Sequence, residues 1–177
     1  MGFTKLDTDG LVIGNLGRAS AGGLLRDSSG TWICEFSHNL GVTNSLEAEF
    51  WGLGDRLFLA RDLNISKLIV EIDAKAISKL IVEIDAKAIV DLINPMNVIN
   101  MTSHPYSALI NDCRYLIQAF EEARLQHAHR ESNFYADLLA KEGNKIIGSY
   151  VSFNSPPLFV VNQLLADILG VAYPHML

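Results

Sequence analysis

Residues 65–88 read ISKLIVEIDAKAISKLIVEIDAKA, the same twelve residues written twice without a difference. Within each copy, KLIVEID is an aliphatic and β-branched run of the kind buried on both faces of a parallel sheet. AKAIVDLI, which follows it, reads as a short helix. A strand leading into a helix implies crossover connections and a sheet with helices on its faces. This single strand has two candidates. If the first copy forms it, the chain keeps the short lead-in LNIS (63–66) and the strand ends in Asp73. The second copy then lengthens the next helix by twelve residues, about 3.3 turns, which rotates its apolar stripe by roughly 120°. If the second copy forms the strand, Asp85 is its terminal acid and the first copy is an apolar insertion, poor loop material. The first arrangement is favoured, because Ala, Lys, Leu, Glu and Ile are acceptable in a helix. Two copies with nothing similar elsewhere do not make a solenoid. A recent in-frame duplication, or an error in assembling the gene, accounts for the identity better, and its expected cost is stability.

Upstream, TKLDTDG (4–10) reads as a short strand ending at Gly10. AGGLLRDSSGTWICEFS (21–37) reads as a hairpin turning at Asp27–Gly30, with Trp32, Cys34 and Phe36 alternating with Ile33 and Glu35. After GVTNS, rich in turn and N-cap residues, the period changes. Leu46, Phe50, Leu53, Leu57 and Ala60 then mark an amphipathic helix. Downstream, NPMNVINMTSHP (94–105) is a loop, and Pro105 opens a helix with Leu109, Cys113, Leu116, Phe120 and Ala123 on one stripe. RLQHAHRE (124–131) is a strand candidate. SNFYADLLAKEG (132–143) is a helix capped by Ser132 or Asn133 and stopped by Gly143. The expected fold is α/β, a mixed sheet flanked by helices over residues 4–145. A tail, 146–177, broken by Pro156–Pro157, adds one more helix.

Composition narrows the function. Apolar residues make up 49% and charged residues 19%, which excludes a disordered chain or a fibre. With 14 Lys and Arg against 20 Asp and Glu, the net charge of −6 argues against a general electrostatic grip on nucleic acid. Cys34 and Cys113 read as reduced thiols of a reducing compartment. The start carries no apolar leader, and LFVVNQLLADILGVAY is too short and too polar, with Asn162, Gln163 and Asp167, to span a membrane. A soluble protein of the cytosol or nucleus is expected. The glycines around residues 14–23 lack the Gly-Lys-Ser/Thr of a phosphate loop. Trp32 reads as core, and Trp51 either as core or as a stacking platform for a base.

Four acids sit where solvated acids do not belong. Asp9 ends the first strand, Glu49 turns toward the apolar face of its helix, the LIVEID strand ends in Asp73 or Asp85, and Asp137 lies beside Ala136 and Leu138. Carboxylates pulled inward from separate elements repel one another unless a cation joins them. Oxygen donors without Cys or His at ligand spacing favour Mg²⁺ or Mn²⁺, and a carboxylate cluster holding two such ions suits in-line phosphodiester cleavage.

KLDTDG, GGLLRDSSGTWICEFSHNLG, LEAEFWGLGDRLFLARDLNI, LIVEIDAKAIVDLI, HPYSALINDCRYL and HAHRESNFYADLLAKEG, taken in order, resemble the plant ribonuclease H-like domain. That family is related to the ribonuclease H part of retroelement reverse transcriptases. The resemblance covers residues 4–145, and LLADILGVAYPH resembles the usual C-terminus of the group. It implies a five-stranded mixed sheet flanked by helices and four metal-binding acids, matched by Asp9, Glu49, the VEID aspartate (Asp73 or Asp85) and Asp137, with Asn133 as companion. Asp7 falls where the family usually has Asn and is left out. It further implies cleavage of the RNA strand of an RNA–DNA hybrid with Mg²⁺ or Mn²⁺. The alternative it leaves is a weakly active or inactive domain retained for nucleic-acid or protein interaction; a 3′–5′ exonuclease of the same fold fits the motif order less well. His127 matches a family histidine and reads either as a proton donor to the leaving 3′-oxygen or as a hydrogen-bonded strand residue. Arg130 reads either as a phosphate contact or as a partner of Glu131.

Overall fold

A computed structural model of the chain describes residues 2–14, 16–73, 105–128 and 134–169. Strands β1 (Thr4–Val12), β2 (Gly17–Arg26) and β3 (Trp32–Thr43) form an antiparallel meander. Helix α1 (Ser45–Asp62) leads to β4 (Lys67–Asp73), followed by α2 (Ser107–Ile117), β5 (Glu122–Ala128), α3 (Phe134–Gly143), β6 (Tyr150–Phe153) and α4 (Leu158–Leu169). The strands form one sheet in the order β5-β4-β1-β2-β3-β6, with β4 parallel to both β1 and β5.

The mixed sheet with flanking helices is as expected, but it has six strands among the described residues where five were expected. The sixth comes from the tail, which supplies β6 as well as a helix. Tyr150–Phe153 pairs with Glu35–His38, Tyr150 stacks on Phe36 at 5.3 Å, and Phe153 packs into the core under α4. Four residues are too few to show a period, so only the longer helix was legible. β1 also runs past Gly10 to Val12. The second helix stops at Ile117; Phe120 is buried in the turn after it and Ala123 belongs to β5. The second repeat copy, the AKAIVDLI helix, the loop before Pro105 and the caps Ser132 and Asn133 lie outside the described residues.

The first copy of the repeat is β4. Helix α1 starts at Asn44, whose side chain accepts a hydrogen bond from Glu47 N. Glu47 also accepts from Thr43 Oγ1 and is half-buried. At the other end Leu63 N donates to Leu59 O at 3.0 Å, and Asn64 turns the chain in the left-handed region at φ 56°. Ile65 N then donates to Ala60 O at 3.0 Å, so the chain reaches Lys67 with no slack. Leu68 and Val70 enter a core with Leu6, Leu25, Leu53, Leu57 and Ile110, beneath α1 and α2. On the other face Leu24, Tyr135, Leu139, Val160 and Leu164 form a second core under α3 and α4.

Two adjacent glycines in β2 open one face each. A Cβ on Gly22 would lie 2.1 Å from Ala140 N, and one on Gly23 would lie 1.7 Å from Arg56 Nε. Backbone of α3 therefore rests directly on one side of the sheet and a guanidinium on the other.

The second core closes over Glu35, which pairs in register with Leu24 and Phe153 and is buried. Burial pushes its carboxyl up to about 7, against the hydrogen bond that Trp32 Nε1 donates to it at 3.0 Å. The folded chain thus holds a proton that the unfolded chain releases near the ordinary value of 4.5. Its contribution to stability is complete below that pH and is lost as pH rises toward 7. Glu35→Gln, which keeps the shape without the charge, is expected to match the parent in thermal melts at pH 4.5 and to exceed it at pH 8. The gain should be about 1–2 kcal/mol, or roughly 2–8 °C; equal melting temperatures at pH 8 would contradict this account.

Candidate active site

The site begins where α1 crosses β1. A Cβ on Gly10 would meet Glu49 N at 2.7 Å and Ala48 C at 2.8 Å, so the helix backbone lies on the strand beside Asp9. Gly52, about one turn on, sits close enough that its Cβ would be 3.2 Å from Thr8 Oγ1 and 3.5 Å from Asp9 O. One glycine from each element permits this approach. It brings the half-buried Glu49 to the part of β1 that carries the half-buried Asp9.

The neighbouring strand ends at the same level. Thr8 pairs with Ile72 across the parallel β1–β4 ladder, and Asp73 follows Ile72 as Asp9 follows Thr8. Ile72 pairs in turn with His127 of β5. The backbones of Asp73 and His127 are thereby placed; their side chains, and Asp85, Arg130 and Asn133 entirely, lie outside the described residues. Asp9 pairs on its other side with Gly22, which carries α3 at Leu139 and Ala140. Asp137 lies in the first turn of that helix, bonded to Lys141 Nζ at 2.6 Å. Asp7 is engaged elsewhere: it is buried, and Arg26 donates to its Oδ2 from Nη2 at 2.5 Å and from Nε at 3.1 Å. Burial raises its carboxyl, and the Arg26 and Lys5 charges oppose that rise.

Among the described residues no three His, Cys, Asp or Glu side chains gather into a metal cluster. Asp9 and Glu49 would supply two donors to a cation held here, and the end of β4 carries a third acid, Asp73. An all-oxygen, partly buried donor set of this kind fits Mg²⁺ or Mn²⁺ in preference to a softer metal.

Three features had not been anticipated. His38 Nδ1 and Asp55 Oδ2 pair at 2.5 Å, with Trp51 and Tyr150 edge-on to the imidazole. Trp51 is 39% exposed, so of its two readings burial in the core is set aside. Cys34 is only half-buried, while Cys113 is buried; burial pushes the two thiols up to about 11 and about 12. Arg56 is wholly buried, 5.4 Å from the Phe36 ring. Burial lowers its guanidinium to about 9, against the pull of Asp7, Asp9, Glu49 and Asp55. Its place within the stripe Leu53–Leu57–Ala60, seven residues after Glu49, was the available signal.

The reverse transcriptase-like family matches residues 7–81 and 74–143. The chain belongs to the reverse transcriptase-like family. Within this reverse transcriptase-like domain the two matches overlap at residues 74–81, the seam of the repeat, so each takes in one whole copy. An Arabidopsis thaliana protein named for ribonuclease H is 34% identical over 175 residues, which is 99% of this chain. The chain spans about a quarter of that relative's length, 26%. Ribonuclease H1 of the halophilic archaeon Halobacterium salinarum is similar in structure, with a TM-score of 0.65 at 22% identity over 81% of this chain and 98% of that one. The compost ribonuclease H1 LC11, solved in complex with an RNA/DNA hybrid, has a TM-score of 0.58 at 20% identity over 80% and 96%. The reverse transcriptase-like domain thus has the ribonuclease H fold.

Proposed function

We propose that this domain cleaves the RNA strand of an RNA–DNA hybrid with the help of Mg²⁺ or Mn²⁺. The observation that carries the proposal is the crossing of α1 over β1, which brings Glu49 against the strand at Asp9, one strand from the end of β4. Asp9, Glu49, Asp73 and Asp137 would hold the cations. When bound, such a pair of ions activates a water and stabilises the leaving oxygen. The chain's own task is placement: three carboxylates issue from the sheet and α1, so little reorganisation is needed. His127, whose backbone pairs with Ile72 of β4, would hand a proton to the leaving 3′-oxygen. Choice of hybrid follows from groove shape and 2′-hydroxyl contacts. The net charge of −6 means that this grip is local.

The test is cleavage of an end-labelled hybrid by the purified chain with Mg²⁺ and with EDTA, beside Asp73→Asn and Asp85→Asn. Mg²⁺-dependent cleavage is expected, lost in Asp73→Asn and kept in Asp85→Asn. The reverse pattern would assign the third acid to the second copy. Hybrid binding without metal-dependent cleavage would overturn the nuclease and leave an interaction domain.

A further inference from the structure

The outer side of α1 carries two large rings where a helix surface is usually polar: Trp51 is 39% exposed and Phe58 53%. They stand seven residues apart on the helix, about two turns, and so share one side of it. Between them Gly54 adds no side chain, and a Cβ there would find only Cys113 Sγ of α2, at 3.8 Å. The result is an open groove between α1 and α2 of about 290 Å³, floored by Cys113 and flanked by Trp51, Phe58 and Tyr115. Tyr115, on the α2 bank, is 70% exposed. Exposed aromatic rings gathered round a groove mark a contact surface. The volume lies at the lower end of small-molecule pockets, roughly 300–1,000 Å³, so it suits one or two side chains of a partner and not a ligand buried whole.

The charge of the groove selects that partner. Asp55 and Asp112 line it, and no Lys or Arg does among the described residues. His38 Nδ1 pairs with Asp55 Oδ2 at 2.5 Å and so fixes one of these carboxylates at the groove. Phosphates would be repelled here, which argues against Trp51 as a stacking platform for a base. A cation is favoured twice, by the carboxylates and by the ring faces. Phe58 already takes one from its own helix, the Arg61 guanidinium at 4.9 Å, so a cation can reach its ring.

We propose that the groove between α1 and α2 docks a basic amphipathic helix of a partner protein, which sets an apolar side chain over Gly54 and an arginine against Asp112 and Asp55. Aromatic banks and an apolar floor are what a helix lying in a groove requires, and arginine suits both the rings and the acids. The net charge of −6 assists the approach of such a partner. The surface is independent of the metal-dependent reading: Trp51 follows Glu49 by two residues, about 200° round the helix.

The experiment is fluorescence anisotropy of a labelled amphipathic peptide, with leucine and arginine at helical spacing, at about 0.15 M salt. The parent is compared with Asp112→Lys, Phe58→Ser and Glu142→Lys. Asp112 and Phe58 are exposed, so neither change should disturb folding. Glu142 lies on α3, across the sheet, and its reversal changes the net charge as much as that of Asp112. Saturable binding by the parent is expected, weakened about tenfold or more by Asp112→Lys and by Phe58→Ser. Glu142→Lys should stay within about twofold of the parent. The same peptide with glutamate for arginine should bind Asp112→Lys more tightly than it binds the parent. No saturable binding by the parent below about 1 mM would overturn the proposal. Equal weakening by Asp112→Lys and Glu142→Lys would do so too, since the attraction would then belong to the whole molecule. Displacement of the bound peptide by a single-stranded oligonucleotide would give the groove to nucleic acid. A dimer in sedimentation that Phe58→Ser dissolves would give it to a second copy of this chain; either result overturns the proposal.

Discussion

Asp9→Asn is expected to reduce Mg²⁺-dependent cleavage of the hybrid about a thousandfold, the equivalent of roughly 4 kcal/mol of transition-state stabilisation. Asp9 stands between Thr8 and Gly10, where a Cβ on Gly10 would meet α1 backbone at 2.7 Å. Asparagine keeps the size and one oxygen, and the β1–β2 pairing at Gly22 is made by backbone. The substitution therefore removes charge with little change in shape. Initial rates on a labelled hybrid, with folding checked by circular dichroism, give the comparison. A loss of less than about tenfold would show that Asp9 does not hold an ion needed for the reaction.

Gly22→Ala is expected to have the largest effect on stability. The added Cβ would meet Ala140 N at 2.1 Å, Leu139 C at 2.4 Å and Leu139 Cβ at 2.6 Å. Two of these are helix backbone, which no rotamer change can clear. Helix α3 must lift, and in lifting it loosens the bonds that Ser20 Oγ donates to Ala140 O at 2.5 Å and Ser37 Oγ donates to Leu139 O at 2.8 Å. Overpacking of 1–3 kcal/mol and two buried hydrogen bonds near 1 kcal/mol each give about 3–5 kcal/mol. In a domain of this size that is a fall in melting temperature of roughly 6–20 °C. Gly54→Ala is the control: its Cβ would find only Cys113 Sγ, at 3.8 Å, on the helix α1. That variant should melt as the parent or higher, by up to about 1 kcal/mol. Equal melting of Gly22→Ala and the parent would mean that α3 does not rest on β2 as described.

What could be read in the sequence divides along physical lines. The Asp27–Gly30 turn was legible because its chemistry is local: Ser29 N and Thr31 N both donate to Asp27 Oδ1, and Gly30 takes φ 81°. Helix α1 was legible from its apolar spacing and from the stretch GVTNS before it, which supplies the Asn44 cap. Asp9 and Glu49 stood out as acids in apolar surroundings, which needs only the chain nearby. Arg56 was passed over despite its place in the apolar stripe, because a charged residue on a helix is expected to reach water. Its burial depends on Gly23, a residue of strand β2 brought against it by long-range packing. The His38–Asp55 pair joins β3 to α1 and escaped notice for the same reason. Strand β6 exists because β3 offers it an edge, with Phe36 to stack on.

The slot between β1 and β5 is lined by Thr4–Thr8 on one side and Glu122–Ala128 on the other, and KLIVEID from 67–73 fills it. Residues 79–85 spell the same seven letters. Neither wall can distinguish the two, since each would present the same side chains and the same ladder of donors and acceptors. Only the tether differs. Residues 63–66 deliver the first copy through the closed turn at Asn64, whereas delivering the other would open that turn into a loop of roughly sixteen residues, a closure penalty near 1.2 kcal/mol. The place beside β1 in this sheet is thus a position for which one chain holds two interchangeable keys, and the choice between them is made by the length of the string and not by the shape of the lock.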